Sequence, residues 1–281
     1  MLRYNKTGCK TEYRKIPLTH GKAMKLLIVR PDCPSETKPA TGVLWLHGGG
    51  YLTGFPEMVF MSRAADLVRE FGVVLLCPDY RLSWQAPYPA AISDCYRALL
   101  YMKNHAQELG IRPDQIMVGG ESAGGGLAAA LCLRARDQGT VRIAFQMPLY
   151  PMLDCEDTPS SVNNHAKVWN TWRNHLAWKL YLRSVKQKKV SPYASPSRCS
   201  DYRDLPPAYT FVGDAEPFYS ETLAYIENLQ KAGVPATVDV YPGQYHAFDM
   251  MEPDSLQGEE AAECFCDAFD YARTHYYAKQ D

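Results

Sequence analysis

Short apolar runs of strand length alternate along this chain with segments of helical periodicity. The run 72–77 is apolar throughout, which is typical of a parallel strand buried on both faces of a sheet. In 57–70 the apolar residues recur at helical spacing instead. The remaining predicted strands are 23–29, 42–46, 115–119, 141–149, 208–212 and 236–241, and the remaining predicted helices are 89–109, 125–131, 220–232 and 259–277. The alternation predicts an α/β fold whose mostly parallel central sheet carries helices on both faces.

The composition favours one large domain that spans residues 1–281. Of the 281 residues, 46% are hydrophobic, which is enough to bury a single core. The net charge of −1 means that the chain lacks the excess of positive charge that is typical of nucleic-acid binding. The first residues resemble no signal peptide, and no uninterrupted apolar run reaches the roughly 18 residues that span a bilayer. We therefore expect a cytoplasmic protein without nucleic-acid or membrane partners.

The nine cysteines are odd in number and scattered. Most of them lie in apolar segments, which favours free, buried thiols in a reducing compartment. Cys264 and Cys266 are two residues apart on a predicted helix and should point to different sides. We therefore expect neither disulfides nor a metal site.

Segment 154–196 interrupts the alternation, because it has no strand signal where the next strand and helix are due. Its tryptophans are interleaved with basic residues, and we expect a small helical, cap-like insertion over the strand ends. Trp169 and Trp172 either line a pocket there or simply pack the insertion onto the core. With Tyr51 and Phe218 they are the candidate substrate-binding residues.

A G-x-S-x-G motif at 120–124 separates the predicted strand 115–119 from a predicted helix. This is the setting of a nucleophile elbow, in which a strained turn presents a serine hydroxyl at the head of a helix. Flanking glycines are needed there because side chains would clash in so tight a turn. The same pattern also occurs by chance, as a turn that lets a helix pack closely on a strand. Ser122 is the candidate nucleophile.

Another glycine-rich stretch, His47 followed by three glycines, comes directly after the predicted strand 42–46. A carbonyl oxygen can approach the bare N–H groups of such a loop, and two or three donors stabilise the oxyanion of a tetrahedral intermediate. The Ala123 N–H would add a donor favoured by the helix dipole. The alternative is a flexible turn. We predict an oxyanion hole formed by Gly48, Gly49, Gly50 and Ala123.

Two later strand ends offer an acid and a base. Asp214 and Glu216 follow one predicted strand, and His246 follows the next. A serine nucleophile needs a histidine that takes its proton, and the histidine needs a carboxylate that fixes its tautomer. The order Ser122, acid, His246 is that of α/β-hydrolases. Glu216 is the preferred acid, while Asp214 could instead cap the helix that follows.

Together these motifs resemble those of the hormone-sensitive lipase-like, HGGG-motif esterase/lipase family of the α/β-hydrolase superfamily. The likeness runs from about residue 40 over nearly the whole remaining chain. The family's Y-R-L-A-P-E-x-P-F-P-A-A-x-x-D segment corresponds to 80–94, its D-P-L-x-x-E segment to 216–221, and its H-x-F to 246–248. This alignment implies an α/β-hydrolase fold with Glu216 at the acid position. The family usually has Asp there, so Asp214 stays an alternative.

The resemblance also implies that Gly49 and Gly50 donate to the oxyanion, with Gly48 as a further candidate. It implies that His47 holds its loop through backbone hydrogen bonds, and that Glu121 orients its neighbours without being the triad acid. Family members often carry a long N-terminal helical cap, but only about 20 residues without helical periodicity precede the first predicted strand. Either the pocket is more open, or segment 154–196 or a partner subunit covers it; homodimers occur in the family.

The resulting prediction is a serine carboxylesterase that hydrolyses short-chain, acetyl-type esters of small molecules through an acyl-enzyme, without metal or organic cofactor. One alternative is an amide-cleaving hydrolase of the peptidase or arylformamidase kind, because the same triad cleaves amides. Another is a ligand-binding protein that uses the scaffold without catalysis. Such proteins tend to lose the nucleophile, base or acid, and candidates for all three are present here.

Overall fold

The computed structural model describes residues 4–18, 22–33, 39–186 and 189–280. Its centre is an eight-stranded sheet with the spatial order β1-β2-β4-β3-β5-β6-β7-β8. The strands are β1 (Cys9–Pro17), β2 (Ala23–Pro31), β3 (Ala40–Leu46), β4 (Val74–Pro78), β5 (Ile111–Glu121), β6 (Phe145–Leu149), β7 (Ala208–Gly213) and β8 (Ala236–Tyr241). β2 runs antiparallel to both of its neighbours, and every other pair is parallel. The predicted, mostly parallel α/β fold is confirmed.

Helices cover both faces of this sheet. They are α1 (Ala64–Phe71), α2 (Ala90–Asn104), α3 (Ala123–Gln138), α4 (Thr171–Tyr181), α5 (Tyr219–Lys231), α6 (Phe248–Met251) and α7 (Leu256–His275). Leu26 and Ile28 of β2 enter one core with α2, α3 and α5, while the alternate Leu27 and Val29 enter the other core with α1 and α7. Burial on both faces explains why the central strands are continuous apolar runs. None of these helices, within the residues described, is long and apolar enough to cross a bilayer.

The N-terminal segment forms a strand that the sequence did not reveal. β1 pairs with β2 over its full length, from Cys9 opposite Pro31 to Pro17 opposite Ala23. It is an edge strand, and most of its side chains are at least partly exposed. An edge strand of this kind needs no apolar run, so lysine, arginine and glutamate are tolerated in it.

Some boundaries also differ from the predictions. The predicted helix 57–70 is a short 3₁₀ helix (Pro56–Met61) followed by α1. The break lies at Ser62, whose hydroxyl donates to Val59 O at 3.2 Å and accepts from Ala64 N–H at 3.3 Å. The predicted strand 141–149 is reduced to β6, and α2 ends at Asn104 before the turn that leads to Gly110.

Segment 154–196 lies over the carboxyl end of the sheet. In the part described, 154–186 and 189–196, its regular structure includes one α-helix, α4, whose N-cap Asn170 accepts from Arg173 N–H at 3.1 Å. Before that helix, the Ser160 hydroxyl donates to Pro217 O, beyond the end of β7, at 2.6 Å. Most of the segment before α4 is irregular chain tied to the strand-end loops.

All nine cysteines are free thiols. The expectation that most are buried is wrong, because burial is limited to Cys77, Cys95, Cys132 and Cys266, and Cys33 is exposed. Apolar neighbours in the sequence do not guarantee burial on a helix, where adjacent positions face different directions. Cys264 and Cys266 on α7 show this, since only the second is buried.

Candidate active site

Ser122 occupies the turn between β5 and α3 with φ 60° and ψ −121°, a strained conformation for a residue with a side chain. The turn presses its two glycines against β3. A Cβ atom at Gly120 would lie 2.4 Å from Leu46 O, and one at Gly124 would lie 1.9 Å from the same oxygen. Only glycine fits at either position. The Ser122 N–H donates to Leu149 O at 3.0 Å, which anchors the turn to β6.

Three buried side chains form a continuous chain of hydrogen bonds at the carboxyl end of the sheet. His246 Nε2 lies 2.9 Å from Ser122 Oγ. On the other side of the ring, Nδ1 is hydrogen-bonded to the Glu216 carboxylate. Glu216 is fully buried and His246 is 3% exposed. With its proton on Nδ1, the ring donates to Glu216 and can accept from the Ser122 hydroxyl.

Burial raises the pKa of Glu216, while the charge of His246 and its hydrogen bond to the carboxylate oppose that rise. The imidazole is therefore a close partner for the charge of this buried carboxylate. Once the ring is protonated, the two form an ion pair out of contact with water. This is the arrangement in which a carboxylate stabilises an imidazolium most strongly.

Asp214, the alternative acid, lies elsewhere. Its side chain is exposed, and its carboxylate accepts from Gly243 N–H at 2.6 Å. It thus ties the end of β7 to the turn after β8. The expectation that it caps the following helix is wrong, because the neighbouring turn offers a closer N–H donor. The geometry joins Glu216, rather than Asp214, to His246.

Glu121, the residue before the serine, is buried beneath the site. Trp45 Nε1–H donates to its carboxylate at 2.6 Å. Burial raises the pKa of Glu121 to about 8, and hydrogen bonds from Trp45 and the Gly48 amide oppose that rise. Gly48 also packs closely on Glu121, since a Cβ atom at Gly48 would lie 3.1 Å from Glu121 O.

Two stacked rings support residues 47–50, which we call the glycine loop. Tyr80 lies 4.2 Å from the His47 ring, centroid to centroid, and its hydroxyl donates to His47 O at 2.6 Å. His47 Nδ1 lies 2.8 Å from Gly48 O. Burial lowers the pKa of His47 to about 4, so the ring is neutral at ordinary pH and bonds to its own loop.

Gly49 and Gly50 have positive φ angles of 112° and 61°, which favour glycine. A Cβ atom at Gly49 would lie 2.3 Å from Thr53 O, and one at Gly50 would lie 2.1 Å from the Trp169 ring. The close approach of Trp169 is thus possible only because residue 50 has no side chain. The loop that follows β3 and segment 154–196 meet at this point.

Ser122 and His246 line a cavity of about 170 Å³. Apart from the serine and histidine its walls are backbone of the glycine loop and mostly apolar side chains, from Gly48, Gly49, Gly50, Met58, Glu121, Tyr150, Val168, Trp169, Ala247, Met250 and Met251. The serine and the histidine therefore face a small and nearly apolar space. We call it the inner cavity.

Only one of the four predicted substrate-binding residues lines the inner cavity, namely Trp169. Trp172, three residues further along, is 70% exposed. Tyr51 is buried in the core, where it stacks on Tyr181 of α4 at 4.0 Å. Phe218 is fully buried and meets the His246 ring edge-on at 5.0 Å, so it supports the histidine from behind. Sequence spacing alone could not separate these aromatic roles.

Tyr150 and three methionines line the inner cavity without having been predicted. Tyr150 directly follows β6 in a left-handed conformation with φ 32°, and its ring meets the His246 ring edge-on at 5.1 Å. Its place at a strand end was a usable signal, because active sites of open α/β sheets lie there. Met58, Met250 and Met251 carried no comparable signal.

A comparison with known families matches residues 43–250 to the family described as alpha/beta hydrolase fold. The chain belongs to this α/β-hydrolase family. The resemblance to hormone-sensitive lipase-like esterases is thereby confirmed, since the relatives of this α/β-hydrolase include several named esterases.

An AB hydrolase superfamily protein of Schizosaccharomyces pombe is 32% identical to this α/β-hydrolase over 280 residues, covering 92% of the chain and 80% of that protein. Esterase LipI of Mycobacterium tuberculosis is 33% identical over 210 residues, which cover 74% of the chain and 65% of LipI. Among solved structures, a bacterial heroin esterase superimposes with a TM-score of 0.85 at 35% identity, covering 92% of the chain and 83% of that structure. These relatives support carboxylic ester hydrolysis of the α/β-hydrolase type.

Proposed function

We propose that this α/β-hydrolase is a serine carboxylesterase that hydrolyses short-chain, acetyl-type esters of small molecules. The observation that carries the proposal is the hydrogen-bonded chain Ser122–His246–Glu216 at the wall of a small apolar cavity. A serine with a buried imidazole at 2.9 Å, itself paired with a buried carboxylate, is arranged for nucleophilic attack on an acyl carbon.

In the proposed acylation step, Ser122 Oγ forms a bond to the ester carbonyl carbon while His246 Nε2 takes the hydroxyl proton. The carbonyl oxygen becomes an oxyanion, and the N–H groups of Gly49, Gly50 and Ala123 are proposed to bind it. Collapse of the intermediate breaks the bond to the alcohol oxygen, which receives the proton from His246. Glu216 stabilises the imidazolium that exists between these two transfers.

Deacylation repeats the sequence with water. His246 takes a proton from the water molecule as its oxygen attacks the acyl-serine, and returns that proton to Ser122 Oγ as the acid leaves. Within the glycine loop, Gly49 and Gly50 are the preferred donors, with Gly48 as a further candidate. Ala123 begins α3, where the helix dipole favours a developing negative charge.

The size of the inner cavity supports a short acyl group. Its volume of about 170 Å³ is below the range of roughly 300–1,000 Å³ typical of sites for drug-sized ligands. Trp169 and the methionines make its walls apolar, which suits an alkyl group and not a charged one.

The test is an activity profile over p-nitrophenyl acetate, butyrate, octanoate and palmitate. We expect the acetate and butyrate esters to be hydrolysed with the highest kcat/KM. Ser122→Ala should lower kcat by at least about 10⁴-fold, because the acyl-enzyme cannot form. Near-normal hydrolysis by that variant would refute the nucleophile, and a preference for palmitate would refute the short-chain substrate.

A further inference from the structure

A larger cavity of about 630 Å³ adjoins the inner cavity, and Val168 and Met251 line both. One wall of this outer cavity is the stretch 163–168 of segment 154–196. The opposite wall comprises Ala215, Tyr245, Met251 and Glu252. The two cavities therefore lie side by side, and the smaller of them is lined by Ser122 and His246.

The outer cavity lies on the histidine side of the serine. Tyr245 immediately precedes His246, and Ala215 immediately precedes Glu216. The glycine loop lines the inner cavity and contributes nothing to the residues that line the outer one. An ester bound for attack has its carbonyl oxygen toward that loop, so the outer cavity is the space toward His246.

Acid–base chemistry then decides which part of the ester enters which cavity. The proton that His246 Nε2 takes from Ser122 must be delivered to the alcohol oxygen when the ester bond breaks. The alcohol must therefore leave on the side of His246, because proton transfer needs hydrogen-bond distance. The acyl group is left in the inner cavity, which is smaller.

The walls of the outer cavity are tied together, and most of the surface that they expose is apolar, although Asn163, His165 and Lys167 also line it. Asn164 Nδ2–H donates to Ala215 O at 3.2 Å, which links the two sides. The Tyr245 hydroxyl donates to Glu252 at 2.7 Å, so its ring is fixed as part of the wall. Ala166, Val168 and Met251 supply further apolar surface. Such a surface suits a flat aromatic group better than a polyhydroxylated or charged one.

We propose that the outer cavity is the binding site for the alcohol part of the substrate and that it takes a bulky aromatic alcohol. The favoured substrates would then be short-acyl esters of such alcohols. This inference rests on the esterase function proposed above, and adds to it which half of the ester is large.

The test compares two acetates whose alcohols have similar intrinsic reactivity, ethyl acetate and 2-naphthylmethyl acetate. We expect kcat/KM to be at least about tenfold higher for the naphthylmethyl ester, because a large apolar surface is buried. Ala166→Trp should fill the outer cavity and abolish that preference. The backbone N–H and C=O groups of Ala166 both take part in hydrogen bonds, and a change of side chain keeps these two groups.

Val162→Trp is the matched control, because Val162 is 54% exposed and lies outside the lining of the outer cavity. It should preserve the preference for the naphthylmethyl ester. A measurement on the unmodified protein complements the variants. 2-Naphthylmethanol should inhibit hydrolysis of ethyl acetate competitively, and ethanol at the same concentration should not.

Equal kcat/KM for both acetates, or no inhibition by 2-naphthylmethanol, would overturn the alcohol site while leaving the esterase function intact. A preference for ethyl 2-naphthylacetate, removed by Ala166→Trp, would overturn it by showing that the large cavity holds the acyl part. If the unmodified protein hydrolyses none of these esters and no p-nitrophenyl acetate, the proposed function itself fails, and the inference with it.

Discussion

The two sides of the site are built in different ways. On the strand-end side, Ser122, Glu216 and His246 each follow a strand of the sheet, and close packing admits only glycine at the two positions that flank the serine motif. On the other side, segment 154–196 contributes Trp169 and the stretch 163–168 from mostly irregular chain. Steric limits on the backbone thus account for the glycines beside Ser122, whereas contacts between distant segments bring the three side chains together and determine what surrounds them. The difference teaches that motifs identify the first side well and the second poorly.

On the strand-end side, the largest expected effect comes from replacing Glu216, the carboxylate partner of His246. Glu216→Gln should lower kcat by about 10³–10⁴-fold, because a buried imidazolium would lose its counter-charge and its tautomer would change. Asp214→Asn is the matched control and should leave kcat unchanged, since Asp214 is exposed and bonds to Gly243. Hydrolysis of p-nitrophenyl acetate measures both. A larger loss in the Asp214 variant would reverse the assignment of the acid.

The next largest effect concerns the packing of the elbow. Gly124→Ala should lower the free energy of unfolding by at least about 3 kcal/mol, because its Cβ would lie 1.9 Å from Leu46 O. Gly139→Ala is a useful comparison, as Gly139 has φ 64° but nothing within 4 Å of its Cβ. That substitution should cost only about 1 kcal/mol. Urea unfolding measures the loss in free energy of unfolding for both variants. Equal losses would contradict this account.

Beneath the elbow, Glu121 should make stability depend on pH. Its pKa is about 8 in the folded protein against the usual 4.5, so between these values the native state holds a proton that the unfolded chain has lost. Stability should therefore fall as pH rises through this window, by up to about 1.4 kcal/mol per pH unit. Glu121→Gln keeps an acceptor for Trp45 and removes the titration.

Urea unfolding of the natural protein and this variant at pH 5, 6, 7 and 8 measures the effect. As pH rises, the unfolding free energy of the natural protein should fall relative to that of the variant. Glu216, another buried acid with a raised pKa, is present in both proteins and cancels in the difference between their unfolding free energies, whereas Asp249 interacts with Glu121 and contributes to it. A difference that does not change with pH would show that the Glu121 carboxyl does not titrate in this range.

The smallest expected effect lies on the side formed by segment 154–196. Trp169→Ala should lower kcat/KM for p-nitrophenyl acetate by roughly tenfold, because the ring forms a wall of the inner cavity. It should also improve the relative use of longer acyl chains. Trp172→Ala should change neither quantity, since its side chain is 70% exposed. Equal effects of both substitutions would mean that the tryptophans act through the stability of the segment.

Much of the sheet could be predicted from the sequence, because central strands must be apolar on both faces. β1 could not, because at the edge of the sheet its charged side chains reach water. Among candidate site residues, those that follow strands were found by their positions, and the structure brings Ser122, Glu216 and His246 together. Tyr51, Trp169 and Trp172 were grouped as candidates because all three are aromatic, and the sequence alone does not show which of them lines a cavity.

Apart from β1, the sequence by itself therefore determined most of the alternation of strands and helices, as well as the glycine-bounded serine, since both follow from local rules of burial and steric clash. Tertiary structure alone decided between Glu216 and Asp214, because two carboxylates two residues apart differ only in what surrounds them: one is buried on His246 and the other faces solvent. It also decided that Trp169 and not Trp172 lines the inner cavity beside the serine. Those choices depend on contacts between segments far apart in the chain, which no local pattern encodes.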